Sequence, residues 1–484
     1  RIDVTRLAPP IISLIVPPTG LYVLTGREYT FAPEVQNGEN ARYEWYLDDS
    51  SVPVSTQKDY IFMRTRPGDC TLRLTAANED GTAEKTLAVH VVDVIPVRIA
   101  FIPSSYSADP LVRSVSLGRT LFLRPQVADA VGPEYTWYVD GTLQEGATDR
   151  MFAFTPEKEG EYEVTFRVTD TDESPLAPLS RHITRASSKR ITEETLRVTC
   201  YERESERVIT TTGQPAADRV LEFLPAPGQF VNEKDMAGYT GQKTFEEARL
   251  YAENRLKKGE FVSLGNFGGY VILAFDHSVE NKGGYDFSIP GNQFEGSNEP
   301  GVVWVMQDVN GNGKPDDEWY ELRGSETGNE WTTQEYAVTY YRPGGPRQGV
   351  KWTDNLNRSG QVAYLEQFHP QDYYYPLWLE EESHTYYGTG LRQNTTQDPG
   401  GDWSNNSFEW GYVDNAGSDN LDSSGKTGKT YFKIANAMTP DGQPAGLRYI
   451  DFIKVQSAVN GSAGGLGELS TEVAGMAVDE NLNR

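Results

Sequence analysis

An internal repeat constrains this chain more than any other feature. Tyr43-Glu-Trp45-Tyr46-Leu-Asp48 recurs as Tyr135-Thr-Trp137-Tyr138-Val-Asp140, 92 residues later. The same spacing, without a gap, carries Gly26 onto Gly118, Pro33 onto Pro125, Phe62 onto Phe154 and Gly68 onto Gly160. One folding unit is therefore used twice, and this fixes the architecture before local propensity is considered. Within each copy the pattern has period two. Leu72, Leu74 and Ala76 alternate with Arg73 and Thr75; Val164, Phe166 and Val168 alternate with Thr165 and Arg167. Such alternation puts one face of a strand in a core and the other in water. Short strands with frequent turn signals predict a β-sandwich, with the mid-strand Trp as core anchor. The last strand, Glu84–His90, matches Glu193–Thr199 at a spacing of 109 residues. The second copy therefore carries an insertion around Glu173 to Lys189, which we expect to be an exposed loop. Cys70 aligns with Tyr162 on a core-facing position, which predicts a buried structural thiol rather than a reactive one.

The Tyr-x-Trp-x-x-Asp strand resembles that of PKD domains, which are immunoglobulin-like sandwiches. So do the aromatic before a Pro-Gly or Glu-Gly turn and the apolar strand ending at Asn78-Glu-Asp-Gly81 or Asp170-Thr-Asp172. The resemblance implies spacer or adhesion modules over residues 1–93 and 94–205, and it says little about function.

Composition changes from about Asp218. Thr244-Phe-Glu-Glu247 is a capping box opening an amphipathic helix to Lys258, with Ala248, Tyr251, Ala252 and Leu256 on one face. Strand-like runs follow at 270–275, 302–307, 336–341, 431–434 and 450–456, separated by Gly-, Asn- and Asp-rich loops. The expected fold is mainly β: two Ig-like (PKD) sandwiches, then a larger jelly-roll-like β domain with one helix over residues 218–484.

Charge narrows the function. The net charge is −26, which argues against nucleic acid, because binding phosphates needs a basic surface. Aromatics make up 11% of the chain, so it is not a disordered polyanion. No apolar run approaches the ~18 residues of a membrane span; the longest, Ile11–Val16, is boxed in by prolines. Cys70 and Cys200 cannot make a disulfide framework. The chain opens at Arg1 and reads as a mature or trimmed form.

The sharpest local motif is Asp308-Val-Asn310-Gly-Asn312-Gly313-Lys314-Pro-Asp316-Asp317-Glu318. Oxygen side chains recur at positions 1, 3, 5 and 9, with glycine at 6, which is how an EF-hand-type loop wraps a hard cation. Lys314 would contribute its carbonyl at position 7. Position 12 is Trp319 rather than a bidentate Glu, and strands flank the loop. We therefore expect structural calcium held by Asp308, Asn310, Asn312, Lys314 and Asp316. The alternative is an Asx-turn hairpin closed by its own side chains. Asp276, Asp286 and Asp414 also sit beside aromatics at strand ends, where a second calcium site or a ligand contact is one reading and a solvated or turn-capping Asp the commoner one.

Tyrosine and tryptophan crowd one stretch. Fifteen of the 27 tyrosines and 9 tryptophans lie between Trp331 and Tyr412. Adjacent tyrosines in a strand point to opposite faces, so some should line a cleft, where rings with a polar handle suit sugars or flat macrocycles. The candidate ligand contacts are Tyr373, Tyr374, Tyr375, Trp378, His384, Tyr386, Tyr387 and Trp403; the alternative is a second apolar layer under the loops. His369 also flanks this stretch, and a lone surface histidine is the commoner reading for both histidines.

Enzyme signatures are mostly absent. There is no G-x-S-x-G elbow and no H-E-x-x-H metal motif. Ser423-Ser-Gly-Lys-Thr-Gly428-Lys429-Thr430 imitates a phosphate loop, but Ser423 stands where the first glycine belongs. Carboxylate pairs for glycoside hydrolysis cannot be picked from 70 acidic residues.

The C-terminal unit resembles a family of cell-surface proteins from gut Gram-negative anaerobes. The resemblance is carried by residues 268–277, 285–292, 299–304, 308–322, 410–415, 450–456 and 467–472, including Gly268-Gly-Tyr-Val-Ile-Leu-Ala-Phe-Asp-His277 and Trp410-Gly-Tyr-Val-Asp-Asn415. It implies a PKD-bearing lipoprotein anchored in the outer membrane and exposed at the cell surface. It further implies encoding beside a TonB-dependent transporter, particularly one for cobalamin. The expected role is non-enzymatic capture of a nutrient, with a corrinoid favoured, for that transporter and its surface lipoproteins. A carbohydrate-binding surface protein, or a glycan hydrolase with unidentified carboxylates, are the alternatives.

Overall fold

The computed structural model describes residues 8–17, 20–170, 190–207, 219–233, 241–421, 428–475 and 477–478. The insertion expected at 173–189 and most of the phosphate-loop imitation lie outside the described residues. The chain is mainly β, with one α-helix among the described residues. It divides into two compact units: Arg1–Pro96 with Val338–Thr385, and Val97–Ala337 with Tyr386–Arg484. Residues 338–385 thus group with the first sandwich rather than with the C-terminal residues around them.

In the smaller unit, Leu21–Leu24, Gly81–Val92, Gly68–Asn78 and Arg42–Leu47 form one sheet in that order, the first pair parallel and the rest antiparallel. Facing it are two short pairs, Ile11–Ser13 with Glu34–Gln36 and Tyr29–Phe31 with Tyr60–Phe62. Trp45 is fully buried between them among Phe31, Phe62, Leu72, Leu74 and Val89. Its indole N–H donates to Gln57 O at 3.1 Å, so the buried donor is satisfied. The 338–385 excursion meets the sandwich through polar contacts, including Lys351 to Glu34 at 2.5 Å and Gln348 Nε2 to Gln36 Oε1 at 2.6 Å.

The second sandwich repeats this plan strand for strand. Leu121–Leu123, Gln126–Ala128, Phe152–Phe154 and Gly160–Asp170 each lie 92 residues beyond their counterparts. Arg190–Tyr201 lies 109 beyond Gly81–Val92. Trp137 is fully buried against Phe152 and Phe166, and its N–H donates to Asp149 O at 3.0 Å. Cys70 and Cys200 are both buried free thiols, and burial pushes each thiol up.

The rest of the larger unit is built on a six-stranded antiparallel sheet. Its order is Arg219–Leu224, Tyr270–Glu280, Tyr449–Ser457, Gly301–Met306, Trp319–Leu322 and Ala437–Met438. The two central strands are buried on nearly every residue, so both faces of the sheet are covered. The helix Phe245–Lys257 begins as the capping box requires, with Thr244 Oγ1 accepting from Glu247 N at 3.2 Å. It buries Ala248 and Ala252 and packs on Arg219–Leu224. The second sandwich is tied to this sheet. Glu222 accepts from Tyr106 N at 2.9 Å and Ser107 N at 3.0 Å, and Trp319 Nε1 donates to Ser104 O at 2.7 Å.

Candidate functional site

The Asp308 loop joins the antiparallel strands Gly301–Met306 and Trp319–Leu322. Asp308 is buried. Its Oδ1 accepts from Asn312 N at 3.0 Å, and its Oδ2 accepts from Gly313 N at 2.9 Å and from the Arg207 guanidinium at 2.9 Å. Gly311 and Gly313 both take left-handed φ, +71° and +74°, which lets the chain turn back on Asp308. Asn310 Oδ1 accepts from Asn312 N at 2.9 Å, Asn312 Oδ1 from Lys314 N at 2.7 Å, and Asp316 from Asn312 Nδ2 at 3.0 Å. The loop is thus wound by side-chain-to-backbone bonds of the Asx type. It also gathers more negative charge than Arg207 offsets. Buried Asp317 accepts from Val309 N at 2.8 Å, while its other oxygen is buried without a hydrogen bond, and Ser114 nearby eases its charge. Burial, with Asp316 and Asp308 adding to it, holds the Asp317 carboxyl well above its ordinary range. A hard cation fits this donor set of carboxylates, amide oxygens and a carbonyl.

The aromatic candidates separate. Tyr373, Tyr374, Tyr375, Trp378 and His384 belong to the smaller unit; Tyr386, Tyr387 and Trp403 belong to the larger one. Residues 373–378 form bends and a turn rather than a strand, so the rule that neighbouring rings face opposite sides does not apply there. Tyr374 and Tyr375 are both enclosed, and Trp378 is buried beside them in sequence. Tyr374 Oη donates to His369 O at 2.9 Å and accepts from Leu365 N at 3.1 Å. Tyr373 and His384 are half-buried, and burial lowers the His384 imidazole. Tyr386 is buried and donates to Pro225 O at 2.8 Å. Trp403 packs half-buried on Val302, Leu391, Phe408 and Tyr412. Of the eight, Tyr387 lines a cleft in the larger unit.

That cleft, of about 140 Å³, opens between the second sandwich and the six-stranded sheet. Trp304, Trp319, Tyr387 and Phe101 supply rings, and Lys454, Glu318, Arg113 and Arg124 supply charge. Lys454 pairs directly with Trp304 across the sheet. Its ammonium stands 5.1 Å from the Trp304 ring centre and 4.9 Å from that of Trp319. Burial pulls Lys454 down to about 8, despite nearby Glu222 and Glu321. Burial raises the Glu318 carboxyl, and it raises that of Glu321, which accepts from Thr389 Oγ1 at 2.5 Å, to about 7. Flat rings beside cationic side chains and a reluctant carboxylate can hold a planar ligand with a polar edge.

Sequence reasoning missed Trp304, Trp319, Lys454 and Glu318 as cleft-lining residues. The strands were legible, but the 150-residue separation of Trp304 from Lys454 hid their pairing. A Lys within the strand-like run Ile450-Asp-Phe-Ile-Lys454-Val-Gln456 was the available signal.

Comparison with known proteins agrees with the N-terminal fold. Residues 9–78 match the PKD-like domain family. The chain is 27% identical over 182 residues to the highly immunogenic outer capsid protein of Enterobacteria phage T4, a match covering 36% of this chain. The match spans about half of that relative, 47% of its length. Among solved structures, the chain is similar to the fibronectin(III)-like modules of Clostridium thermocellum CbhA, with 15% identity, TM-score 0.18, and coverage of 40% of this chain and 93% of that one. It is also similar to the N-terminal four Ig domains of Dscam1 isoform 4.44, with 13% identity, TM-score 0.16, and coverage of 37% and 43%.

Proposed function

We propose that this chain is a non-enzymatic, surface-displayed binding protein whose ligand seat is the Trp304–Trp319–Tyr387 cleft. The observation carrying this reading is the half-buried Lys454 ammonium set against two indole rings at the junction of two β modules. Ligand sites favour such junctions, with a mostly apolar lining and a few polar groups that fix orientation. The PKD-like sandwiches serve as spacers, a role suited to display away from a surface. The seat takes a saccharide unit or the edge of a flat macrocycle. A corrinoid, passed on to a TonB-dependent outer-membrane transporter, is the ligand the C-terminal resemblance favours; a glycan is the second reading. A lipid anchor would hold the protein at the outer membrane, and calcium in the Asp308 loop would be structural.

Isothermal titration with cyanocobalamin, run beside a glycan array, tests the proposal. Binding of either ligand that is lost on Trp304→Ala supports the cleft. Binding of neither overturns the reading, and glycan cleavage lost on a single carboxylate substitution would replace it with a hydrolase.

A further inference from the structure

Three carboxylates meet inside the larger unit, none of them part of the Asp308 loop. Glu299 precedes the strand Gly301–Met306, Asp414 follows the bridge of Val413 to Gly301, and Glu472 opens the short strand Glu472–Val473. One oxygen from each lies within 4.8 Å of the others. Two oxygens that each bind one calcium ion at about 2.4 Å are at most about 4.8 Å apart, so the spacing suits a shared ion.

The main chain fixes this convergence. Asp414 Oδ1 accepts from Asn292 N and Oδ2 from Glu472 N, both at 3.0 Å. Glu299 N donates to Asp414 O at 3.0 Å, and Glu299 Oε1 accepts from Ser470 N at 3.2 Å. Asp414 itself sits at φ +56°, a conformation that L-residues adopt at a cost. No Lys, Arg or His among the described residues forms an ion pair with any of the three. Burying several like charges without a counter-ion is strongly unfavourable.

Two further side chains point to a missing partner. Glu472 is 2% exposed, and its carboxylate is set against the acids Glu299 and Asp414, with the Ser263 hydroxyl easing its charge and, among the described residues, no cation beside it. Independently, Gln293 is 3% exposed, and neither its amide oxygen nor its amide nitrogen has a partner. A Cβ built on Gly291 would lie 2.5 Å from Gln293 Oε1 and 2.8 Å from Asp414 Oδ1, so both oxygens converge on one point. Only glycine leaves that point open.

We infer that Glu299, Asp414 and Glu472, with the Gln293 amide oxygen, form a buried calcium site. The donors are all hard oxygens. A cage made from protein with little room for water suits calcium better than magnesium, which keeps several of its waters. The ion would cross-link three segments distant in sequence.

The experiment measures tightly held calcium in the full chain by elemental analysis, in the wild type, Glu472→Gln, Glu299→Gln and Asp308→Ala. The two glutamine variants are expected each to lose one calcium per chain relative to wild type, whatever Asp308→Ala does. Unchanged calcium content in both folded glutamine variants overturns the site. Calorimetric titration of CaCl2 into metal-free Asp308→Ala protein reads this centre apart from the loop. Saturable binding of about one calcium per chain supports the site, and no binding overturns it.

Discussion

Asp414 Oδ2 accepts the backbone N–H of Glu472 at 3.0 Å, while the Glu472 carboxylate is itself buried against the acids Asp414 and Glu299. One acid is held by the main chain of the other, so neither can move away from the shared charge. The consequence is a pH dependence of stability. The folded pKa values lie above the unfolded ones, so between about pH 4 and pH 8 the folded state binds more protons than the unfolded state. In EDTA, stability should fall across that window, by up to about 1.4 kcal/mol per pH unit for each retained proton. With calcium bound, the fall should disappear. Urea unfolding at pH 5, 6.5 and 8, with and without calcium, checks this; stability in EDTA that rises with pH contradicts it.

The Asp308 loop makes a separate prediction. Asp308 takes two backbone amides and Arg207, so Asp308→Ala removes the centre on which the loop is wound. We expect a melting temperature lower by several degrees and loss of this loop's share of the response to EDTA. Thermal melts with and without EDTA read it, and an identical EDTA effect in wild type and variant speaks against calcium there.

Trp137 fills the core of the second sandwich at 0% exposure. Trp137→Ala should destabilise that sandwich by about 3–5 kcal/mol, through lost burial and an unfilled cavity. Trp137→Phe keeps much of the volume but strands the Asp149 carbonyl, and should cost about 1–2 kcal/mol. The larger unit holds more than one sub-structure, so hydrogen exchange of the Gly160–Asp170 amides is a cleaner readout than a single global midpoint.

Asp140 and Gly141 turn the hairpin from Pro133–Val139 to Thr142–Leu143 with φ of +48° and +75°. Both central residues are left-handed, as a tight two-residue hairpin turn requires. Asp140 Oδ1 also accepts from Glu163 N at 2.9 Å, just as Asp48 Oδ1 accepts from Thr71 N at 2.9 Å in the first copy. Gly141→Ala should cost about 1 kcal/mol by strain alone. Asp140→Gly should relieve strain while losing the hydrogen bond, for a smaller net change. Thermal melts of the two variants order them.

Lys454 should set the pH range of ligand binding. Its pKa is pulled down to about 8, so the ammonium in the cleft is lost as pH rises from 7 to 9. A ligand that uses that charge should bind several-fold more weakly at pH 9 than at pH 7. Lys454→Met should remove that pH dependence while leaving apolar contacts. Calorimetry at the two pH values decides, and equal affinities in the wild type would take Lys454 out of the site.

Much of the fold was legible because the repeat is a local pattern copied at a fixed distance. Trp45 and Trp137, the strand alternation around Leu72 and Val164, and the Thr244 cap all follow from near-neighbour chemistry. The candidate sites were legible only where they too are local. The Asp308 loop supplies its donors within nine residues, so the spacing reveals it. The cleft needs Trp304 opposite Lys454, and the carboxylate centre needs Glu299, Asp414 and Glu472 together; both arise from pairings between distant strands. In the tyrosine run, residues 373–378 lie in bends and a turn rather than a strand, so the strand rule for facing directions had nothing to act on.

The chain passes between its two units three times, after Pro96, after Ala337 and after Thr385. A protease that cuts any single one of these crossings would leave the halves still covalently tethered, so a nicked protein would co-purify as a whole. Synthesis order is affected as well. The first sandwich holds its own core within residues 12–91, yet the segment that docks on it emerges from the ribosome only at 338–385. At roughly 5–20 residues per second that interval lasts on the order of tens of seconds. During it the first sandwich stands finished but unaccompanied, and the larger unit cannot close until the excursion has been left behind.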